Sequence, residues 1–125
     1  MDLKLQLIPV PVADIDRAKA FYTEQVGFRL DHDVRPSARV RVVQLTPPGS
    51  ACSIVLGAGM AGIAMAPGSL RGLHLVVDDI AAARAELAGR GVGMGEIQDL
   101  GGIKYAGFRD PDGNTWTLQE MAGGR

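Results

Sequence analysis

A single cysteine, Cys52, is all the thiol chemistry this 125-residue chain possesses, which excludes an intramolecular disulfide, a dithiol redox pair and a cysteine-rich zinc site. Within "ACSIVL" it reads as a core residue. Aromatic residues make up only 5% of the sequence, too few for a platform on which nucleic-acid bases stack. Neither charge sign dominates. Thirteen basic and fourteen acidic residues leave a formal net charge of −1, so neither nucleic acid nor an anionic membrane finds an electrostatic footing. No stretch approaches the roughly 18 uninterrupted apolar residues of a membrane span, and "MDLKLQLIPV" has no basic leader or cleavage site. The expectation is a cytoplasmic protein whose partners are a small molecule and a second copy of itself. A 46% hydrophobic content at this length suits one domain, 1–125, with a sizeable core.

"GAGMAG", residues 57–62, has the G-x-G-x-x-G spacing of a dinucleotide-binding loop, and Asp78 lies near the acidic position such a site requires. Those glycines work only when they open a helix whose N-terminus receives the pyrophosphate. Here Pro67 and Gly68 stand where that helix should be running. The segment therefore reads as a connector, with Met60 and Met65 supplying adaptable apolar contact, and NAD is not expected.

What the chain does contain is a repeat. "IPVPVADIDRAKAFY" (8–22) and "LHLVVDDIAAARAEL" (73–87) match at a constant offset, Ile8, Val10, Val12, Asp14, Ile15 and Ala18 against Leu73, Leu75, Val77, Asp79, Ile80 and Ala83. In each copy alternating apolar residues mark a strand, an aspartate caps the following helix, and the apolar spacing then turns helical. Gly27 ends the first helix, and Gly89 or Gly91 the second. Three strand candidates follow each helix: 28–34, 39–46 and 52–57, then 92–99, 104–110 and 115–121. "DPDGN" (110–114) joins the last two as a hairpin turn. A calcium loop would need glycine at Thr115 and an acidic residue at Met121. The fold class is α+β, two βαβββ modules (about 3–57 and 72–121) joined by a connector (57–71), strands together and helices outside.

"VPVADIDRAKAFYTEQVGF", "LHLVVDDIAAARAELAGRGV" and "FRDPDGNTWTLQE" resemble the opening, second-module and closing segments of the vicinal oxygen chelate superfamily, which groups glyoxalase I, extradiol dioxygenases and bleomycin-resistance proteins. The resemblance covers nearly the whole chain. It implies a mixed sheet curled around a cavity, commonly completed in a homodimer, and a divalent metal held by His and Glu from the first and last strand of each module. Those positions fall here on Leu7, Val55, Gly72 and Thr117, none of which ligates in the expected way. No metal or other cofactor is expected.

Strand parity independently places Leu5, Leu7, Pro9, Ser53, Val55, Gly72, His74, Val76, Thr115, Thr117 and Gln119 on the face away from the helices. The cavity they line is mainly apolar with a few polar groups. His74 reads as a general base, a donor that orients a ligand, a displaced metal ligand, or a histidine satisfied by its neighbours. Tyr105 and Arg109 share a face and suit a ligand's aromatic or anionic part, although Arg109 equally suits anchoring Asp110 and Asp112. "DHD" (31–33) reads as solvated, Arg35, Arg39 and Arg41 as a basic rim, and Trp116 and Leu118 as core. Glu120, of opposite parity to Thr117, should point from the cavity toward a helix or a partner. Pro9 and Pro11 call for an edge strand or a module junction.

These readings favour a metal-free, antibiotic-sequestering type of binding protein in which His74, Tyr105, Thr117 and Gln119 orient a ligand. The alternatives are a lyase, isomerase or dioxygenase of the same superfamily, with His74 as acid/base or as ligand beside Gln119 or Glu120, and an interaction module whose dimer surface is its function.

Overall fold

The computed structural model describes residues 1–58 and 65–122. Its elements run β1 (Leu7–Pro9), α1 (Ile15–Ala20) continuing into a π-helical stretch (Phe21–Val26), β2 (Arg29–Ser37), β3 (Val40–Thr46), β4 (Ser53–Ala58), β5 (Leu73–Val76), α2 (Ile80–Gly89), β6 (Gln98–Leu100), β7 (Ile103–Arg109) and β8 (Thr115–Glu120). This is the anticipated βαβββ order, twice. The strands form two four-stranded sheets, β1-β4-β3-β2 and β5-β8-β7-β6. In each sheet the first strand runs parallel to the last, Ile8 opposite Ile54 and Leu73 opposite Trp116, and the other pairings are antiparallel.

The repeated aspartates cap as expected: Asp14 Oδ1 accepts from the Arg17 N–H and Asp79 Oδ1 from the Ala82 N–H, both at 3.0 Å. Gly27 ends the first helix at φ +90°, where its N–H bonds back to Tyr22 O, a left-handed position open to glycine at little cost. The widened turn before it was not legible from apolar spacing. It brings Phe21, Tyr22 and Val26 together into the core. The strand expected over 92–99 is reduced to Gln98–Leu100; Val92 is instead buried in the core, and a bond from the Gly95 N–H to Gly107 O holds the segment beside β7. Cys52 also departs from expectation. It is half-buried and lies outside the core cluster.

β1 is an edge strand, which accounts for Pro9, whereas Pro11 marks the module junction: its carbonyl accepts from the Gly68 N–H and the Asn114 side chain. Pro67 and Gly68 lie in a turn, and no helix occurs among residues 65–72. Of "GAGMAG", Gly57 and Ala58 end β4; the other four positions, Met60 among them, lie outside the described residues.

One hydrophobic core spans both modules. Val10, Ala18, Val43, Leu45, Ile54 and Leu56 join Ile80, Leu87, Ala106 and Leu118, and five aromatic side chains fill the centre. Tyr22 packs edge-on to Trp116 with ring centroids 5.8 Å apart, and Phe108 stacks on Trp116 at 6.2 Å. Polar bonds thread this packing. Tyr22 Oη donates to Asp110 Oδ2 (2.7 Å) and accepts from Trp116 Nε1–H (2.9 Å). Asp110 Oδ1 accepts from the N–H groups of Asp112 and Asn114. Asn114, fully buried, donates to Pro11 O and Asp110 Oδ2 (both 2.8 Å) and accepts from the Leu70 N–H (3.0 Å). Burial, followed by the charge of Asp110, raises the Tyr22 phenol far above the ordinary tyrosine range, so it stays a donor.

Tyr22→Phe strips an acceptor from the buried Trp116 N–H and a donor from Asp110. The expected loss is about 1–3 kcal/mol of stability, read as a lowered urea midpoint at unchanged slope. A loss under about 0.5 kcal/mol, the size of an ordinary surface change, would mean that the core holds without these bonds.

Candidate functional site

Each sheet turns one face to this core and the other away from it; the far face of the second sheet is largely open, whereas that of the first is itself buried at Ser53 and Val55. On the second sheet the open face carries His74 and Val76 from β5, Thr115, Thr117 and Gln119 from β8, and Tyr105, Gly107 and Arg109 from β7, interleaved with buried Ala106, Phe108, Trp116 and Leu118. On the first sheet the far face carries Leu7 and Pro9 opposite Ser53 and Val55, with Gln44 paired to Val55. Parity has placed these residues on the faces expected of them.

Two cavities lie where the modules meet, one of about 450 Å³ and one of about 250 Å³. They share Pro47, Ser50, His74 and Leu75. The larger has an apolar floor of Val26, Phe28, Val77, Leu87 and Leu118, with Glu86 and Arg90 at its rim. The smaller lies between Leu5 and Ile8 on one side, Leu73 and Trp116 on the other, with Cys52 and Ser53 beside them. Of the ten residues expected to contact a ligand, Leu5, Ser53 and His74 line a cavity; Leu7, Pro9, Val55, Tyr105, Arg109, Thr117 and Gln119 line neither. Parity had missed the β3–β4 loop, Pro47–Ser50. The turn signal "PPGS" was available, but only the packing shows that this loop roofs both cavities.

His74 is held from two sides. Its ring meets Tyr105 edge-on at 6.1 Å, and its Nδ1 lies 2.6 Å from Gln119 Oε1, while the Gln119 amide nitrogen faces Met121 Sδ. A carbonyl oxygen only accepts, so in neutral His74 the proton resides on Nδ1 and Nε2 presents a lone pair.

The polar environment of the first sheet differs from expectation in two respects. His32 is exposed, but the "DHD" carboxylates are engaged, not solvated: Asp33 accepts from Lys19 Nζ (2.8 Å) and twice from Arg41 (3.0 and 2.9 Å), and Asp31 from Arg29, Gln44 and Thr46. A register shift between Leu30 and His32 lets Asp31 reach Thr46, which simple alternation had concealed. Arg41 leaves the supposed basic rim, since it pairs with both Asp33 and Asp16 and its side chain is largely buried. Arg109 does not anchor the turn; Asp112 is bound by Arg17 (3.2 Å) and the Ala13 N–H, Asp110 by Tyr22. Glu120 points to a helix, accepting from the Ile80 N–H at 2.9 Å.

The positions at which a divalent metal would be bound carry leucine, valine, glycine and threonine, and among the described residues no three His, Cys, Asp or Glu side chains converge. This donor set does not fit such an ion, which needs several carboxylate, imidazole or thiolate ligands.

The hydrogen bonds from Arg41 and then Lys19 hold the Asp33 carboxyl well below the usual carboxylate range. A carboxyl depressed by folding contributes stability above its unfolded pKa of about 3.9 and loses it as pH falls through that value and below. The urea midpoint of Asp33→Asn should therefore lie below that of the parent at neutral pH, with the gap narrowing once pH drops below about 4. A gap independent of pH would exclude the ion pairs as its source.

Comparison with known proteins matches residues 4–118 to the model of the Glyoxalase/Bleomycin resistance protein/Dioxygenase superfamily. No curated protein matches the chain. Among solved structures, TnmS3, an antibiotic binding protein from Streptomyces sp. CB03234, is 40% identical over 97% of this chain and 98% of its own, with a TM-score of 0.85. A glyoxalase/bleomycin resistance protein from Streptomyces sp. CB03234 is 41% identical, covering 94% and 100% of the two chains, at a TM-score of 0.80. A superfamily member from Sphaerobacter thermophilus DSM 20745 is 29% identical, covering 95% and 98%, at 0.82.

Proposed function

The chain belongs to the glyoxalase/bleomycin resistance protein/dioxygenase superfamily, and from that premise we propose that it is a metal-free binding protein that sequesters a partly apolar small molecule of the antibiotic type. The observation that carries this reading is the pair of adjoining cavities with apolar walls and His74 at their junction. The likeness to an antibiotic binding protein at 40% identity supports it, as does the lack of ligating side chains at Leu7, Val55, Gly72 and Thr117. Burial of the ligand supplies affinity, and the His74–Gln119–Tyr105 group orients it.

The functional unit in this reading is a homodimer. Leu5, Leu7 and Val76 stand exposed on or beside the open sheet faces, and a second copy laid over them completes the enclosure. No helix is long and apolar enough to cross a membrane, and the single unpaired thiol suits the reducing cytoplasm. A second reading rests on the His74 lone pair: a metal-free acid/base enzyme in which Nε2 removes a substrate proton. Turnover that His74→Ala abolishes while binding survives would select that reading.

A native mass spectrum recorded with and without nickel, zinc, manganese and ferrous ions should give a dimer whose mass no metal shifts. Titration calorimetry against a panel of apolar antibiotics should then yield a binder, weakened about tenfold by His74→Ala, the value of one hydrogen bond. Turnover seen only with a divalent metal bound would overturn the proposal.

A further inference from the structure

The repeat and the strand registers give residues of one module counterparts in the other, and one place is filled in one half and hollow in the other. Tyr22 and Leu87 close the two copies of the repeat, so Leu87 stands where Tyr22 does. Leu45 pairs with Ile54 beside Ile8, and Phe108 with Trp116 beside Leu73. Ile54 therefore stands for Trp116, and Pro47, two residues past Leu45, for Asp110. In the filled half Tyr22 is fully buried, its hydroxyl joins Asp110 and Trp116, and Asp112 of the same turn accepts from the Ala13 N–H and from Arg17. That turn is pinned to the start of the first helix. In the other half leucine, proline and isoleucine replace the three groups. Among the described residues the Pro47–Ser50 turn bonds only within itself and to Cys52, and no bond ties it to the second module. The larger cavity, about 450 Å³, lies there: Val77, Ala83 and Leu87 line it beneath this turn, in the places that Val12, Ala18 and Tyr22 take beneath Asp110–Gly113.

The walls of this cavity are core-facing. Val26, Phe28, Leu87 and Leu118 belong to the buried core, and Val77 and Ala83 pack against it. The cavity thus opens on the helix side of the second sheet, away from the face that carries Thr117 and Gln119. Phe28 links the two halves, since its ring stacks on Tyr22 with centroids 5.5 Å apart and the residue also lines the cavity. We propose that the larger cavity seats an aromatic ring of the ligand, in the place that the Tyr22 ring fills in the other half. Its volume falls within the range of about 300–1,000 Å³ usual for small-molecule sites. With Pro47 and Ile54 where Asp110 and Trp116 would stand, no side chain there answers a hydroxyl, so the ring itself makes the contact. The proposal rests on the ligand-binding reading above and deepens it by naming what enters this cavity and where.

The test uses 4-methylphenol, the tyrosine side chain without its backbone, and trans-4-methylcyclohexanol, which has the same connectivity but is neither flat nor aromatic. Both are titrated into the full chain, with the methyl and amide resonances of Val77, Ala83 and Leu87 as the readout. The phenol should shift these resonances with an affinity in the millimolar range, as suits so small a probe. It should bind roughly threefold to tenfold more tightly than the cyclohexanol, the value of one aromatic contact. Ala83→Leu adds carbon atoms from α2, and Leu87→Tyr supplies the missing ring from the protein itself. Each should weaken the phenol at least about tenfold, because added atoms and probe compete for one space. Urea midpoints identify which variant remains folded, and either one suffices. Absence of shifts at these three residues, equal binding of the two probes, or a phenol affinity that the folded variant leaves unchanged would overturn the proposal. An antibiotic from the calorimetric panel whose binding neither substitution alters would overturn it while leaving the ligand-binding reading intact; a panel without any binder would instead be the failure of that reading.

Discussion

Everything in this molecule depends on one buried contact between its halves, the bond from Tyr22 Oη to Asp110 together with the Asn114 side chain beneath it. A unit of about 55 residues, the size of these two modules, buries a smaller share of its surface than a larger domain does and is marginal on its own. Their shared core closes only if the first helix lies against the second sheet, and Tyr22 is the side chain that makes this specific: its ring touches Phe28 and Trp116 while its hydroxyl accepts from Trp116 and donates to Asp110. Asn114 then ties the "DPDGN" turn to Pro11 in the first module and Leu70 in the connector. Gly68 belongs to the same arrangement. At φ +77° it lies so near Asp112 that a Cβ would collide with the carbonyl oxygen of that residue.

This explains which parts of the fold were legible. Local rules governed whatever depends on neighbours in the chain: the aspartate caps, the glycine at the end of the first helix, the hairpin turn, and the alternation that puts Trp116 inside and Thr117 outside. The repeat fixed the order of elements because each copy obeys the same rules independently. Missed features depend instead on a residue inserted or a contact made across the fold. The π-helical turn at Phe21–Val26 and the register shift beside Asp31 each alter the phase that periodicity assumes constant. Residues 92–97 have strand-like composition, yet the core takes Val92 and leaves only three residues to pair.

The candidate site divides along the same line. Parity placed His74 and Ser53 on the faces turned from the core, and both are among the residues around the smaller cavity. It placed Leu7, Val55, Thr117 and Arg109 on those faces equally well, although none of them lines either cavity of the single chain. A face is a property of one sheet, whereas a cavity belongs to two elements that meet. Pro47–Ser50 closes both cavities from a loop whose sequence announces only a turn.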